Sequence, residues 1–162
     1  MLLERTREVA DATRRPARIA AGVMGGLFLL AGILGFIPGV TSDYSSMALS
    51  GHYSEARLLG VFQVSVLHNL LHLFLGVAGL ATAWKGARFS RLYLLLGGLV
   101  YLALWFFGVL LDFTTVDKLF GPIPFWANFI SFNGIDDWMR FLVSTLMLSF
   151  YFVVRPGRGV PE

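Results

Sequence analysis

Apolar positions along this chain gather into four long runs separated by polar stretches, at 17–37, 58–84, 92–111 and 135–154. Each run is close to the roughly 20 residues that a helix needs to cross a bilayer. The stretch from Leu58 to Trp84 contains no Asp, Glu, Lys or Arg, and at roughly 1.5 Å rise per residue it spans hydrocarbon comfortably. Pro16 suits the first turn of the first helix, where its missing N–H costs little. That first run is too long for a signal-peptide core and has no small-residue cleavage site after it. Ser54 is the expected N-cap of the second helix, with Glu55 favoured in its first turn by the helix dipole. Short connections favour antiparallel neighbours. The expected fold is therefore all-α, an integral membrane four-helix bundle forming a single domain over residues 1–162.

Composition strengthens this reading and closes off others. The chain is 56% hydrophobic and only 14% charged, against about 25% charged residues in soluble domains. Its mean hydropathy is +0.70. The absence of cysteine excludes disulfides, thiolate metal sites and cysteine nucleophiles. A net charge of +3 is too small to argue for nucleic-acid binding, so the position of the charges matters more than their sum. Arg5, Arg7, Arg14, Arg15 and Arg18 precede the first run, Lys85, Arg88 and Arg91 join the second to the third, and Arg155 and Arg158 follow the fourth. The other side holds Arg57, Lys118 and Arg140 together with Asp43, Glu55, Asp112, Asp117, Asp136 and Asp137. The positive-inside rule then places both termini and the 85–91 turn in the cytoplasm.

Glycines within the apolar runs create small-residue notches. Gly22, Gly25, Gly26, Gly32 and Gly35 lie in the first run, Gly76 and Gly79 in the second, and Gly97, Gly98 and Gly108 in the third. Small residues let helix backbones approach and gain dispersion contacts where no hydrophobic force separates protein from lipid. Tight packing within one protomer is the plain reading; a groove that admits a partner helix, a lipid tail or a pigment ring is the sharper one. Tyr93, Trp84, Trp138 and Tyr151 fall near the expected interfaces as aromatic anchors. The outer segment 112–134 is rich in aromatics, with Phe120, Phe125, Trp126 and Phe129 around a Gly121-Pro122-Ile123-Pro124 turn. So many aromatics are not left facing water, so this segment lies in the headgroup layer, folds over the bundle mouth or docks on another subunit.

The candidate chemistry is concentrated at His68 and His72, one helical turn apart on one face. Counting inward from the ends of the run puts both imidazoles toward the middle of the bilayer. Ser65 and Asn69 lie alongside, and Tyr101, Ser144 and Thr145 fall at comparable depth as candidate hydrogen-bond partners. A buried polar knot that fixes helix register is the bland reading. Haem, pigment or metal ligation by His68 or His72 is the functional one. Metal is disfavoured because Asp112, Asp136 and Asp137 all fall near the outer surface, leaving two neutral ligands alone. A haem held by two histidines needs a second helix, and no other run contains His. A proton relay needs polar groups continuing to both surfaces, and the sequence offers no such chain.

The strings LLAGILGFIPG at 29–39, GHYSEARLLGVFQVSVLHNLLHLFLGVAGL at 51–80 and YLALWFFG at 101–108 resemble a bacterial four-span membrane family known only as domain-of-unknown-function family 4383. The Leu67-His68-Asn69-x-x-His72 string is the most specific part. The family pattern carries a further Asp-Asn-x-Leu-His-Leu string opening its fourth span. Here that stretch reads Asp136-Asp137-Trp138-Met139-Arg140-Phe141, with Arg140 where the family has His. The resemblance implies the fold and supplies no activity. The expected role is a non-enzymatic membrane protein, an accessory or structural subunit of a larger respiratory or photosynthetic type of complex. The alternative is a cofactor-binding membrane protein that uses an intramembrane histidine. A small transporter ranks lower because no acidic residue within the runs marks an ion path. Enzyme activity ranks last, since no nucleophile–base pair or phosphate loop is apparent.

Overall fold

The computed structural model describes residues 2–50, 53–114 and 134–154, the side chains of 2–14 and 111–114 excepted. Among these, four α-helices, one small sheet and a short 3-10 turn of helix at Tyr44–Ser46 account for the regular structure. The helices are α1 (Leu2–Leu34), α2 (Val66–Lys85), α3 (Ala87–Thr114) and α4 (Gly134–Val153). The strands β1 (Thr41–Ser42), β2 (Arg57–Leu58) and β3 (Phe62–Gln63) form an antiparallel sheet in that order. Three helical stretches, Arg15–Leu34, Val66–Lys85 and Ala87–Leu110, are long and apolar enough to cross a membrane. The fourth helix carries Asp136, Asp137 and Arg140 in its first two turns and does not meet that standard.

Two boundaries differ from those the sequence predicts. The second apolar run is not helical throughout, because Leu58 to Gln63 form two strands and the turn between them. Leu59 and Gly60 both take positive φ, 53° and 72°, which reverses the chain between β2 and β3. Hydropathy cannot separate an apolar hairpin from an apolar helical turn, so the run looked continuous. The N-cap is consequently Ser65, whose hydroxyl accepts from the backbone N–H of His68 at 3.2 Å. Ser54 instead sits buried in the loop, where its hydroxyl donates to the Val64 carbonyl and accepts from the Ala48 N–H. At the other end, Pro16 is interior to α1 and not at its start, because the helix continues back to Leu2. Its missing N–H removes one backbone bond there.

The sheet closes one end of the helices. Ala56, Leu58 and Val64 are buried against Ala31 and Leu34 at the end of α1. Thr41 Oγ1 donates to the carbonyls of Leu34 (3.1 Å) and Gly35 (3.3 Å), capping backbone groups that α1 leaves open. At the opposite end α2 turns into α3 through one residue. Gly86, at φ 132°, gives the N–H that bonds to the Thr82 carbonyl, and the buried Ser90 hydroxyl donates to Thr82 and Gly86 carbonyls.

The helices pair through their glycines. A Cβ on Gly25 would come within 2.8 Å of the Leu80 backbone nitrogen, and one on Gly79 within 2.6 Å of the Gly25 Cα. The α1 and α2 backbones therefore lie in direct contact, and Arg18 Nε donates to the Ala83 carbonyl at 2.8 Å, where α2 nears its end alongside the middle of α1. In the same way Gly97 accommodates Met147, Gly98 accommodates Leu148 and Gly108 accommodates the Asp137 carboxylate across the α3–α4 seam. Arg91 lies over the Tyr151 ring at 4.5 Å, holding the far end of that seam. Ala21, Met24, Phe28, Leu94, Tyr101 and Met147 form the shared core. The outward faces are apolar as well: Trp84 is 83% exposed, Phe74 69% and Phe152 70%. Such faces suit lipid as solvent and would not suit water.

Candidate functional site

The α2 register places His68 and His72 on one face, and their rings meet edge to face with centroids 4.4 Å apart. Because α2 begins at Val66, His68 lies in its first turn and His72 about 9 Å along the axis from its start. The pair thus sits toward the sheet-covered end of the helices and not at mid-span. His72 Nε2 and the Tyr101 hydroxyl share a hydrogen bond of 3.1 Å between α2 and α3. The Phe28 ring from α1 packs 5.4 Å from both the His72 and the Tyr101 ring centroids. Three helices therefore converge on one imidazole.

The fourth helix contributes a charged group that the sequence pattern places elsewhere. Asp137 and Arg140 form an ion pair, three residues apart on α4, and both are buried. The Arg140 guanidinium lies close enough for its charge to act on His68, His72 and Tyr101. These charges stand near the start of α4, but they are buried within the protein and not exposed at its surface. The cause is local: Gly108 on α3 has no side chain where the Asp137 carboxylate lies, so that seam admits the charged pair. The i, i+3 spacing of opposite charges inside an apolar run was the available signal for it. Asp136 and Asp137 also stand in the first turn of α4, where the helix dipole favours negative charge.

The other expected members of the cluster separate. Asn69 is fully buried against Gly35, with its Nδ2 donating weakly to the Met47 sulfur at 3.9 Å and its Oδ1 without a hydrogen-bond partner. Ser65 serves as the helix cap. Ser144 is buried but its hydroxyl donates back to the Phe141 carbonyl of its own helix at 2.8 Å. Thr145 is exposed on the outer face and does not join. Phe120, Phe125, Trp126 and Phe129, the expected docking aromatics, lie outside the described residues.

Chemically, the arrangement is a set of mutually engaged polar groups. The hydroxyl joined to an imidazole is a phenol held by that same bond, not an aliphatic nucleophile. No group of three or more His, Asp or Glu occurs among the described residues in a form that would hold a metal ion. Among the described residues, the one buried ring atom with no hydrogen-bond partner is His72 Nδ1.

Among known proteins, a family model described as Domain of unknown function (DUF4383) matches residues 18–153. No curated protein and no solved structure matches the chain.

Proposed function

For a chain that belongs to the DUF4383 family, we propose a non-enzymatic role as an integral membrane protein, an accessory or structural subunit of a larger membrane complex of respiratory or photosynthetic type. It crosses the bacterial inner membrane four times with both termini in the cytoplasm. The observation that carries this reading is that several buried polar side chains are engaged within the protein. His72 is joined to Tyr101, Arg140 to Asp137, and Ser144 to its own backbone. Groups so committed fix which helix faces meet, and they leave no set poised for catalysis. Crossing by α4 is supported by its seam with α3, because the Asp137–Arg140 pair neutralises itself inside protein and faces no lipid.

Affinity purification of the chain from its own membranes in mild detergent tests the role. A discrete larger assembly of constant stoichiometry is the expected result, and a lone protomer at native abundance contradicts it.

A second reading, cofactor binding through an intramembrane histidine, is favoured by one atom, the unpartnered Nδ1 of His72. It requires a visible absorption band or stoichiometric metal that His72→Ala abolishes. A colourless, metal-free preparation removes it.

A further inference from the structure

Between α2 and α3 an apolar groove of about 300 Å³ opens to the outside of the protein. Phe74 and Ala78 form one wall, Phe89, Leu92, Leu96 and Val100 the other, and no polar surface interrupts it. From Phe89 to Tyr101 it runs twelve residues along α3, about 18 Å, which is close to one leaflet's share of a roughly 30 Å hydrocarbon core. One end of the groove therefore lies at a headgroup level and the other near mid-bilayer.

The headgroup end is basic. Thr82 and Phe89 close it, and Lys85 stands one turn beyond Thr82 with its ammonium 5.9 Å from the Phe89 ring centroid. Arg88 is exposed one turn before Leu92 on the same face of α3. The exposed Trp84 ring at this turn marks the level at which an indole sits among headgroups. Neither Lys85 nor Arg88 is joined to a carboxylate in any ion pair among the described residues.

We infer that this groove seats one acyl chain of an anionic phospholipid whose phosphate meets Lys85 and Arg88. The apolar walls accept the chain by dispersion and by filling a notch that loosely packed bulk lipid would leave uneven. Selectivity for anionic over zwitterionic lipid comes from the two cations, since a basic residue at the headgroup level favours anionic lipid about five-fold. The inference requires only that α2 and α3 cross the membrane. It stands or falls separately from the role in a complex.

Native mass spectrometry tests it on full-length protein taken from its own membrane and then equilibrated with equimolar phosphatidylglycerol and phosphatidylcholine. The expected spectrum shows one retained phosphatidylglycerol, enriched about five-fold or more over phosphatidylcholine. The surface variant Lys85→Ala/Arg88→Ala is expected to lose that preference, and Ala78→Phe, which fills the groove, to lose the retained lipid. Elution volume and helical circular dichroism establish that each variant is folded. Equal retention of both lipids by the wild type, or a preference unchanged in the double variant, overturns the inference. So does a folded Ala78→Phe that keeps its lipid, or a pigment or polypeptide adduct retained in the lipid's place.

Discussion

His72 Nε2 lies 3.1 Å from the Tyr101 hydroxyl, and this bond ties α2 to α3 at the point where the Phe28 ring of α1 covers both side chains. Interhelical bonds of this kind average about 0.6 kcal/mol in membrane proteins and reach about 1.7. Tyr101→Phe keeps the ring and removes the hydroxyl, so it should destabilise by about 1 kcal/mol. A double-mutant cycle with His72→Phe, followed by detergent-titrated unfolding, should return a coupling energy near 0.6 kcal/mol. Strict additivity would mean that the bond contributes nothing.

Glycines on α1 and α2 that look alike in sequence differ in what surrounds them. A Cβ on Gly76 would come within 2.5 Å of the Leu29 backbone nitrogen, whereas one on Gly26 meets nothing within 4 Å. Gly76→Ala must push α1 away from α2 and should destabilise by about 1–3 kcal/mol. Gly26→Ala should be neutral or stabilising by up to about 1 kcal/mol, from helix propensity alone. Thermal unfolding of the two variants side by side in one detergent checks the contrast.

The Asp137–Arg140 pair is buried, so removing one partner takes that counter-charge from the other in the protein interior. Arg140→Ala should cost about 3–5 kcal/mol, while the apolar pair Asp137→Leu/Arg140→Leu should cost less than the single change. Unfolding free energies of the three proteins decide this. A double variant less stable than Arg140→Ala would show that the two charges do not act as a pair.

Leu59 holds φ 53° in the turn between β2 and β3 and is largely exposed. A left-handed conformation costs an ordinary L residue about 1–2 kcal/mol, and Asn tolerates it better. Leu59→Asn should therefore raise stability by up to about 1 kcal/mol with no change in helix content. A lowered melting temperature would contradict the turn geometry.

The length of the apolar runs was enough to place a helix at each of α1, α2, α3 and α4, although α1 extends back to Leu2, well before its apolar run begins. The start of α2 was not legible. Leu58, Leu59, Val61 and Phe62 are as apolar as any helical turn, and only Gly60 and the Ser65 cap hint at the hairpin before them. At the site, the spacing of His68 and His72 and the depth of Tyr101 led to a real contact. Arg140 was missed because charge near the end of a run reads as surface. Its burial depends on a glycine 32 positions earlier, Gly108, and on the neutralising carboxylate that glycine admits. Ser144 and Thr145 show the converse: depth along a helix says nothing about facing. One bonds its own backbone and the other points outward.

Whether α4 crosses the membrane with its buried charges is the question on which the four-crossing account turns. The chain has no cysteine, so single cysteines can be introduced without a background. Substitutions Tyr53→Cys in the loop before β2, Arg88→Cys beside the α2–α3 turn and Gly157→Cys beyond α4 can be labelled in intact cells with a membrane-impermeant maleimide. The account predicts labelling at position 53 alone, with positions 88 and 157 reached only after the membrane is opened. Labelling of position 157 from outside, with 88 still protected, would contradict it.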